Sequence, residues 1–556
     1  MSLAACRATT NVPTAGAGIT VLAEPLASCR LGAPPPGTFT ESAEAVGITF
    51  AHNGASSGAE MGEVRDYAGA GLGDLDGDGL LDLYLTNISG PDRVYLSRGA
   101  NPGTLRATVV DVVDTGAAND LRVTLADVDG DRDLDALVSP ADGNAWLEND
   151  GLGRFVAAHP IVSAQLDGLL NTYSVAVGDL DGNGWLDLFI GNHTVSYDES
   201  SPGIPAPELL FLNRGGGVLE EVSDRLPKQK VDDETWLVAL LDFDDDGDLD
   251  LYEVNDAWSP AELGIDPNDT RQIGCRLYRN DGLAAGDGAL KLTDVSDGSH
   301  ADVTISAMGG AFSDFDGDGD VDLYVTTMRH TANALLRNDG PFQFSDVTND
   351  LHADSLTDAH DVGWGAVFFD ADMDGWEDLF VAHGWHTTGV FAEGTPLNQK
   401  LQPDVLLRNQ GGARFQDVTD AARVGGPGMS RSPVVGDLNR DGFPDLVVAV
   451  VSERPYVYLN GCAASAPTLT VRLDDRGPNG YGVGARVRVA AGGRVQTRWL
   501  APGSDGLYGS SAPELYFGFD ATLTDTHVAI EVRWPDGETT THADIPLRHR
   551  VTMRRR

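Results

Sequence analysis

Nine-residue stretches that concentrate carboxylates recur seven times: DLDGDGLLD, DVDGDRDLD, DLDGNGWLD, DFDDDGDLD, DFDGDGDVD, DADMDGWED and DLNRDGFPD. Positions 1, 3, 5 and 9 are Asp or Asn in every copy, and position 6 is Gly in six copies and Arg132 in the other. The first three loops place Asp74, Asp76, Asp78 and Asp82; Asp127, Asp129, Asp131 and Asp135; and Asp179, Asp181, Asn183 and Asp187. The fourth and fifth place Asp242, Asp244, Asp246 and Asp250, then Asp314, Asp316, Asp318 and Asp322. The last two place Asp370, Asp372, Asp374 and Asp378, then Asp437, Asn439, Asp441 and Asp445. Side chains at alternate positions of a tight turn converge on one point, and carboxylates held that close repel one another unless a cation lies among them. Hard oxygen donors at this spacing suit calcium, with the position-7 carbonyl as a further ligand. They suit magnesium less, because that ion needs a smaller octahedron and keeps its waters. One such loop is an ordinary acidic turn; seven with the same four oxygen-bearing positions imply about seven calcium ions. Twenty-six Asp and two Asn fill these positions, so seven ions would offset 14 negative charges.

An EF-hand begins with a similar pattern but needs a bidentate Glu at position 12 and a helix on each side. Here position 12 is Leu85 in the first copy and Val325 in the fifth. The loops run on into LDLYLTN or VDLYVTT, β-branched and aromatic, which predicts strand.

The elements that must position these loops can be read from their spacing. Successive first aspartates lie 53, 52, 63, 72, 56 and 67 residues apart, room for one four-stranded unit plus variable connections. Each unit reads as a Gly-rich apolar strand (AGAGLGD, GGAFSDF), the acidic loop, a second strand, a third ending in a turn (ALLRNDG, VLLRNQGG), and a fourth opening on an aromatic (FQFSDVTND). The seventh unit stops after its third strand at YVYLNGC, and the missing strand is expected in GTFTESAEAVGI, Gly37 to Ile48. A ring closed in this way leaves no long exposed sheet edge; an open β-solenoid gives no reason for the displaced strand. The expectation is an all-β chain: an N-terminal extension (1–37), a seven-bladed β-propeller (38–462) and a small β-sandwich-like domain (466–556).

The loops, with unit ends of the form LYxNxGxGxFxDVT, resemble FG-GAP/VCBS-type repeats such as those of integrin α-chain heads, in the VCBS-like variant because the Phe-Gly and Gly-Ala-Pro signature is mostly absent. NGYGVGARV from Asn479, LYFGF from Leu515 and VRWPDG from Val532 resemble the ASPIC/UnbV domain. Together they make the chain similar to bacterial relatives of cartilage acidic protein. No cysteine lies beyond Cys462, so the EGF-like module of some animal members has no counterpart here.

A formal net charge of −47 opposes nucleic-acid binding. No run of ~18 apolar residues predicts a membrane span. The opening MSLAACRATT carries no clear signal-peptide core, and LAAC ending at Cys6 is the one feature that would fit a lipid anchor. Cys6, Cys29, Cys275 and Cys462 lack the close pairing of a zinc site, and three disulfide connectivities stay open.

The second strands should run to the face opposite the calcium loops, where His193, Asn255, Asp256, His330, His383 and His386 end them and Asp66, Tyr67, Glu234, His360 and Asp361 approach. His193, His330, His360, His383 and His386 are the candidate ligand face. Blades five and six gather four of these histidines into an arc able to bind a transition metal or do acid–base work, although solvated loop histidines are the plainer expectation. No phosphate loop, G-x-S-x-G elbow or zinc-protease motif occurs. The arginines of the last ninety residues (Arg486, Arg488, Arg494, Arg498 and RHRVTMRRR) read as a solvated face, with docking on the acidic propeller or polyanion binding as rivals. The functional expectation is a secreted, periplasmic or cell-surface calcium-binding module for a protein or glycan ligand. The alternative is a metal-dependent lyase, dehydratase or oxidoreductase centred on the histidine arc.

Overall fold

The computed structural model describes residues 10–12, 19–29, 32–52, 67–88, 90–97, 105–107, 120–140, 143–163, 171–193, 207–227, 234–257, 274–285, 288–328, 332–356, 361–385 and 402–555. Among these, seven four-stranded antiparallel sheets succeed one another along the chain. Each begins with an innermost strand leading into an acidic loop: Ala70–Gly73, Val123–Ala126, Asn171–Gly178, Thr235–Leu241, Ala307–Ser313, Gly363–Phe369 and Ser430–Gly436. The innermost strands touch in order, and the seventh touches the first, so the sheets close into a ring of blades. Asp82–Leu85, Asp250–Asn255 and Asp445–Val450 are buried at every position. Blades cover both faces of each such strand, which accounts for their near-continuous apolar sequences.

Blade seven takes its outer strand from the N-terminal side: Thr40–Glu41 pairs antiparallel with Leu459 and Tyr458, as the sequence predicts. A disulfide between Cys29 and Cys462 ties the same two segments together, and Cys275 is buried outside it.

The C-terminal residues form two sheets around one core. One contains Arg494–Trp499, Arg486–Ala491, His527–Arg533 and Thr539–Pro546; the other contains Thr468–Asp474, Leu515–Gly518 and His549–Arg555. The second sheet also recruits Ile19–Pro25, which pairs residue by residue with His549–Arg555. Ile19, Val21 and Ala23 thereby enter the core beside Leu469, Phe517 and Met553. Part of the N-terminal extension is thus a strand of the C-terminal domain, which lies hundreds of residues away in sequence.

The segment from Ala501 to Ala512 leaves this domain and enters the axis of the ring. It bonds the innermost strands of five blades: Ser510 N–H to Ala70 O (3.0 Å), Val123 N–H to Tyr508 O (3.1 Å), Leu240 N–H to Ser504 Oγ (3.3 Å), Gly506 N–H to Ala366 O (3.0 Å) and Ala512 N–H to Val435 O (3.0 Å). The remaining two blades are touched by packing, Val175 O against Gly503 and Gly309 against Leu507. At Gly365 the approach is so close that a Cβ would lie 2.3 Å from Gly506 O, which explains a residue without one. Leu507 and Tyr508 form the tip, packed among Leu121, Tyr173, Trp236, Met308 and Trp364. Each of those five stands six residues before the first aspartate of its loop. Blade seven supplies Arg431 at the same register, its guanidinium 3.6 Å from the Trp364 ring centroid.

Candidate metal centres

All seven loops share one hydrogen-bond scheme. The position-9 carboxylate is at most 2% exposed and splits its two oxygens between two backbone N–H groups. One donor belongs to position 2 of the same loop and the other to the end of the third strand, at 2.6–3.1 Å throughout. The position-5 side chain accepts the N–H of position 7 at 2.8–3.1 Å. These bonds fold alternate side chains to one side and fix the bend.

The bend requires positive φ at positions 4 and 6 of every loop. Position 6 lies between 82° and 109°, including Arg132 at 82°. Position 4 is Gly in four loops and Asp245, Met373 or Arg440 in the others, at 57–61°. A side chain there costs about 1–2 kcal/mol, so its other contacts matter. Arg132 reaches Asp474 Oδ1 (2.7 Å) and Asp475 O (2.8 Å) of the C-terminal domain. Asp245 receives Arg486 and Arg533, both at 2.5 Å. Arg440 binds the Gly79 carbonyl.

Carboxylate oxygens from Asp74, Asp76 and Asp78, from Asp127, Asp129 and Asp135, from Asp179, Asp181 and Asp187, from Asp242, Asp244 and Asp246, and from Asp314, Asp316 and Asp318 come within 4.8 Å of one another. Removal from water, reinforced by repulsion within each loop, pushes Asp82, Asp135, Asp187 and Asp250 up to about 8 and Asp127 up to about 7. The same causes, in the same order, drive Asp322, Asp378 and Asp445 well above the carboxylate range, against the hydrogen bonds they accept. An all-oxygen donor set, partly buried and strained by its own charge, fits a hard divalent cation.

The C-terminal domain docks on this face, the arrangement that the arginine-rich sequence offers as a rival to a solvated face. Arg533 meets Asp242 Oδ2 at 3.0 Å, Arg472 stands 3.8 Å from Asp74 and Arg498 meets Glu377 at 2.7 Å. Arg494 lies 3.3 Å from the Trp376 ring centroid, and Tyr516 Oη accepts the Asp437 N–H at 2.9 Å. The expectation of a solvated arginine face is therefore overturned for Arg486, Arg494 and Arg498. Their strand alternation, which would mark a wet surface, marks a surface wetted by carboxylates. Arg488 stays within its own domain, 3.5 Å from Glu531.

An interblade asparagine also escapes sequence reasoning, although it stands at the turn that ends each third strand. Asn149, Asn213, Asn280, Asn338, Asn409 and Asn460 each send Nδ2 to the position-2 carbonyl of the preceding blade's loop, at 2.8–3.2 Å. Their recurrence directly before the turn is the signal.

On the opposite face His193 is buried against Tyr173, with Nε2 3.3 Å from Glu234. His383 is buried with Nδ1 2.9 Å from Pro403 O and Nε2 3.0 Å from Ser355 Oγ. Burial lowers both imidazoles, keeping them neutral. They belong to blades three and six and do not meet. His330, His360, His386 and Asp66 lie outside the described residues, as does Cys6. On the axis, Leu507 and Tyr508 fill the space among Leu121, Tyr173, Trp236, Met308 and Trp364.

Residues 475–556 match the ASPIC and UnbV family, and residues 74–138, 127–190, 314–381 and 397–448 match FG-GAP-like repeats. The chain carries FG-GAP-like repeats and a C-terminal ASPIC and UnbV domain. The blade-four loop at Asp242 falls between matched FG-GAP-like segments yet keeps the same hydrogen bonds. Cartilage acidic protein 1 of Xenopus tropicalis is 24% identical over 353 residues, 58% of this chain. That match spans 49% of the relative, about half its length. Among solved structures, an Agrocybe aegerita lectin that recognises non-reducing terminal N-acetylglucosamine is 16% identical, with a TM-score of 0.39 over 65% of this chain and 83% of that one. Rhamnogalacturonan lyase YesW is 13% identical, with a TM-score of 0.34 over 80% and 81%. FG-GAP-like repeats joined to an ASPIC and UnbV domain point to an interaction or adhesion-type module. No helix among the described residues is long and apolar enough to cross a membrane.

Proposed function

We propose that this protein is a calcium-stabilised interaction module that works outside the cytoplasm and presents the propeller face opposite the acidic loops to a protein or glycan. The observation that carries this reading is the unequal treatment of the two faces. The acidic face is covered by the C-terminal domain and the axis is filled, so a large external partner is left with the other side. In each loop positions 1, 3, 5 and 9, with the position-7 carbonyl, would hold one calcium ion, seven in all. That calcium is structural: its binding energy is folding energy. External calcium in the millimolar range saturates even weak sites of this kind, whereas cytosolic calcium does not. The Cys29–Cys462 disulfide fits the same oxidising compartment.

The test is capture by the intact calcium-loaded protein on a glycan array and from native extracellular material, each repeated with a variant carrying charge reversals on the opposite face. Loss of capture in the variant supports the reading. Capture that persists there, but fails when the C-terminal domain's outer surface is altered, overturns it.

A further inference from the structure

Six of the seven blade junctions carry the same bond, an asparagine side chain reaching back to the preceding blade's loop. The seventh joins blade one to blade seven, where Ser97 occupies the asparagine position. Its hydroxyl binds Leu81 O of its own blade, and a serine is too short to reach the Leu438 carbonyl that the pattern assigns it. This is also the junction where the ring must close between distant parts of the chain.

A different set of bonds is built there. Arg440, from the loop of blade seven, donates to the Gly79 carbonyl in the loop of blade one. Arg550, from the last strand of the C-terminal domain, donates to the same carbonyl at 2.8 Å. Arg550 also pairs with Glu514, which is 6% exposed and has Arg472 at 3.6 Å. Tyr516, whose oxygen holds the Asp437 N–H of blade seven, lies 3.2 Å from Glu514 as well. Buried charges persist when paired and hydrogen-bonded, and removing one partner strands the others.

We propose that the C-terminal domain is the latch of the ring: Glu514 and Arg550, with Arg440 of blade seven, replace at the closing junction the asparagine bond that joins every other pair of blades. The ring is then a row of like contacts with one unlike contact, and the unlike one is held by another domain. Opening at that junction depends on whether the domain is docked.

Hydrogen exchange on the full-length, calcium-loaded chain reads this junction by junction. Glu514→Gln should speed exchange in Ala70–Gly73 and Ser430–Gly436 by about tenfold or more, with Thr235–Leu241 unchanged. Asn280→Ala should do the reverse, opening the junction of blades three and four and sparing the closing one. If Glu514→Gln fails to fold, Arg550→Lys keeps a charge beside Glu514 but loses the planar fork, and the same local acceleration is expected. An even rise over all seven blades, or a rise confined to the C-terminal sheets, overturns the proposal.

Discussion

The two faces of the propeller are built on different rules. On the acidic face every blade contributes the same loop, with the same bonds to the position-9 carboxylate, and one domain covers all seven. On the other face the strands end, five residues after position 9, in residues of different kinds: Asn87, Asn192 and Asn255 in three blades, Thr327 in another, and in another His383, set between Ser355 and Pro403. Regularity therefore marks the part of the molecule that holds itself together. Irregularity marks the part free to be specific, as expected where loops carry recognition and the scaffold carries stability.

The sharpest way to break this contrast is to remove divalent cations. Chelation should lower the melting temperature by about 10 °C or more, since several binding energies are lost at once. Exchange should rise first in the loops and the C-terminal domain, and last at the opposite ends of the strands. A shift of a degree or two, read by calorimetry with and without calcium, would remove the cations from the account.

Next in size is an attack on the axis. Leu507→Asp places an unpaired charge among Trp236, Met308 and Trp364 and should cost about 4 kcal/mol or more. Fluorescence of the buried tryptophans should change with it. Unaltered stability in denaturant would mean the axial segment is dispensable.

A single loop offers a finer probe. Asp316→Ala should lower the ion count by one in native mass spectrometry and loosen blade five by about 1–3 kcal/mol, without altering exchange at His193 or His383. An unchanged count excludes Asp316 as a ligand.

The smallest effect concerns pH. Asp505 sits in the axial segment, where burial, with Glu377 nearby, pushes its carboxyl up to about 7. The folded state thus keeps a proton that the unfolded carboxyl releases near pH 4. Its stabilising contribution is complete below that value and disappears as pH climbs through 7. Asp505→Asn should therefore match the parent near pH 4 and exceed it at pH 8, the gap opening between the two titration ranges. Parallel pH profiles in thermal melts would show that Asp505 titrates normally.

Much of this architecture is legible in the sequence because it repeats. The loops, the strands around them and the displaced strand at Thr40 are each readable from seven variations on one pattern. What stays hidden is what occurs once. APGSDGLYGSSAP is dominated by Gly, Ser and Pro and matches no repeat, yet those small residues are what let it thread between Gly365 and Gly309. The arginines at 486, 494 and 498 alternate as any exposed strand face does, and only the fold reveals that carboxylates from distant blades stand opposite. The asparagines fall between these cases: periodic, visible, and mistaken for turn chemistry because Asn is common in turns.

Ile19–Pro25 lies in a sheet beside His549–Arg555, and a few residues later the chain supplies the outer strand of blade seven. On the ribosome, Leu459 emerges more than 400 residues after Thr40, and His549 more than 500 residues after Pro25. Single blades can gather as they emerge, but the circle cannot be completed before Leu459, nor the sandwich filled before Arg555, has been made. The nascent chain must spend that interval with Ile19–Pro25 paired only to Thr10–Val12 and with Thr40–Glu41 lacking its partner, a reason for it to need help during assembly.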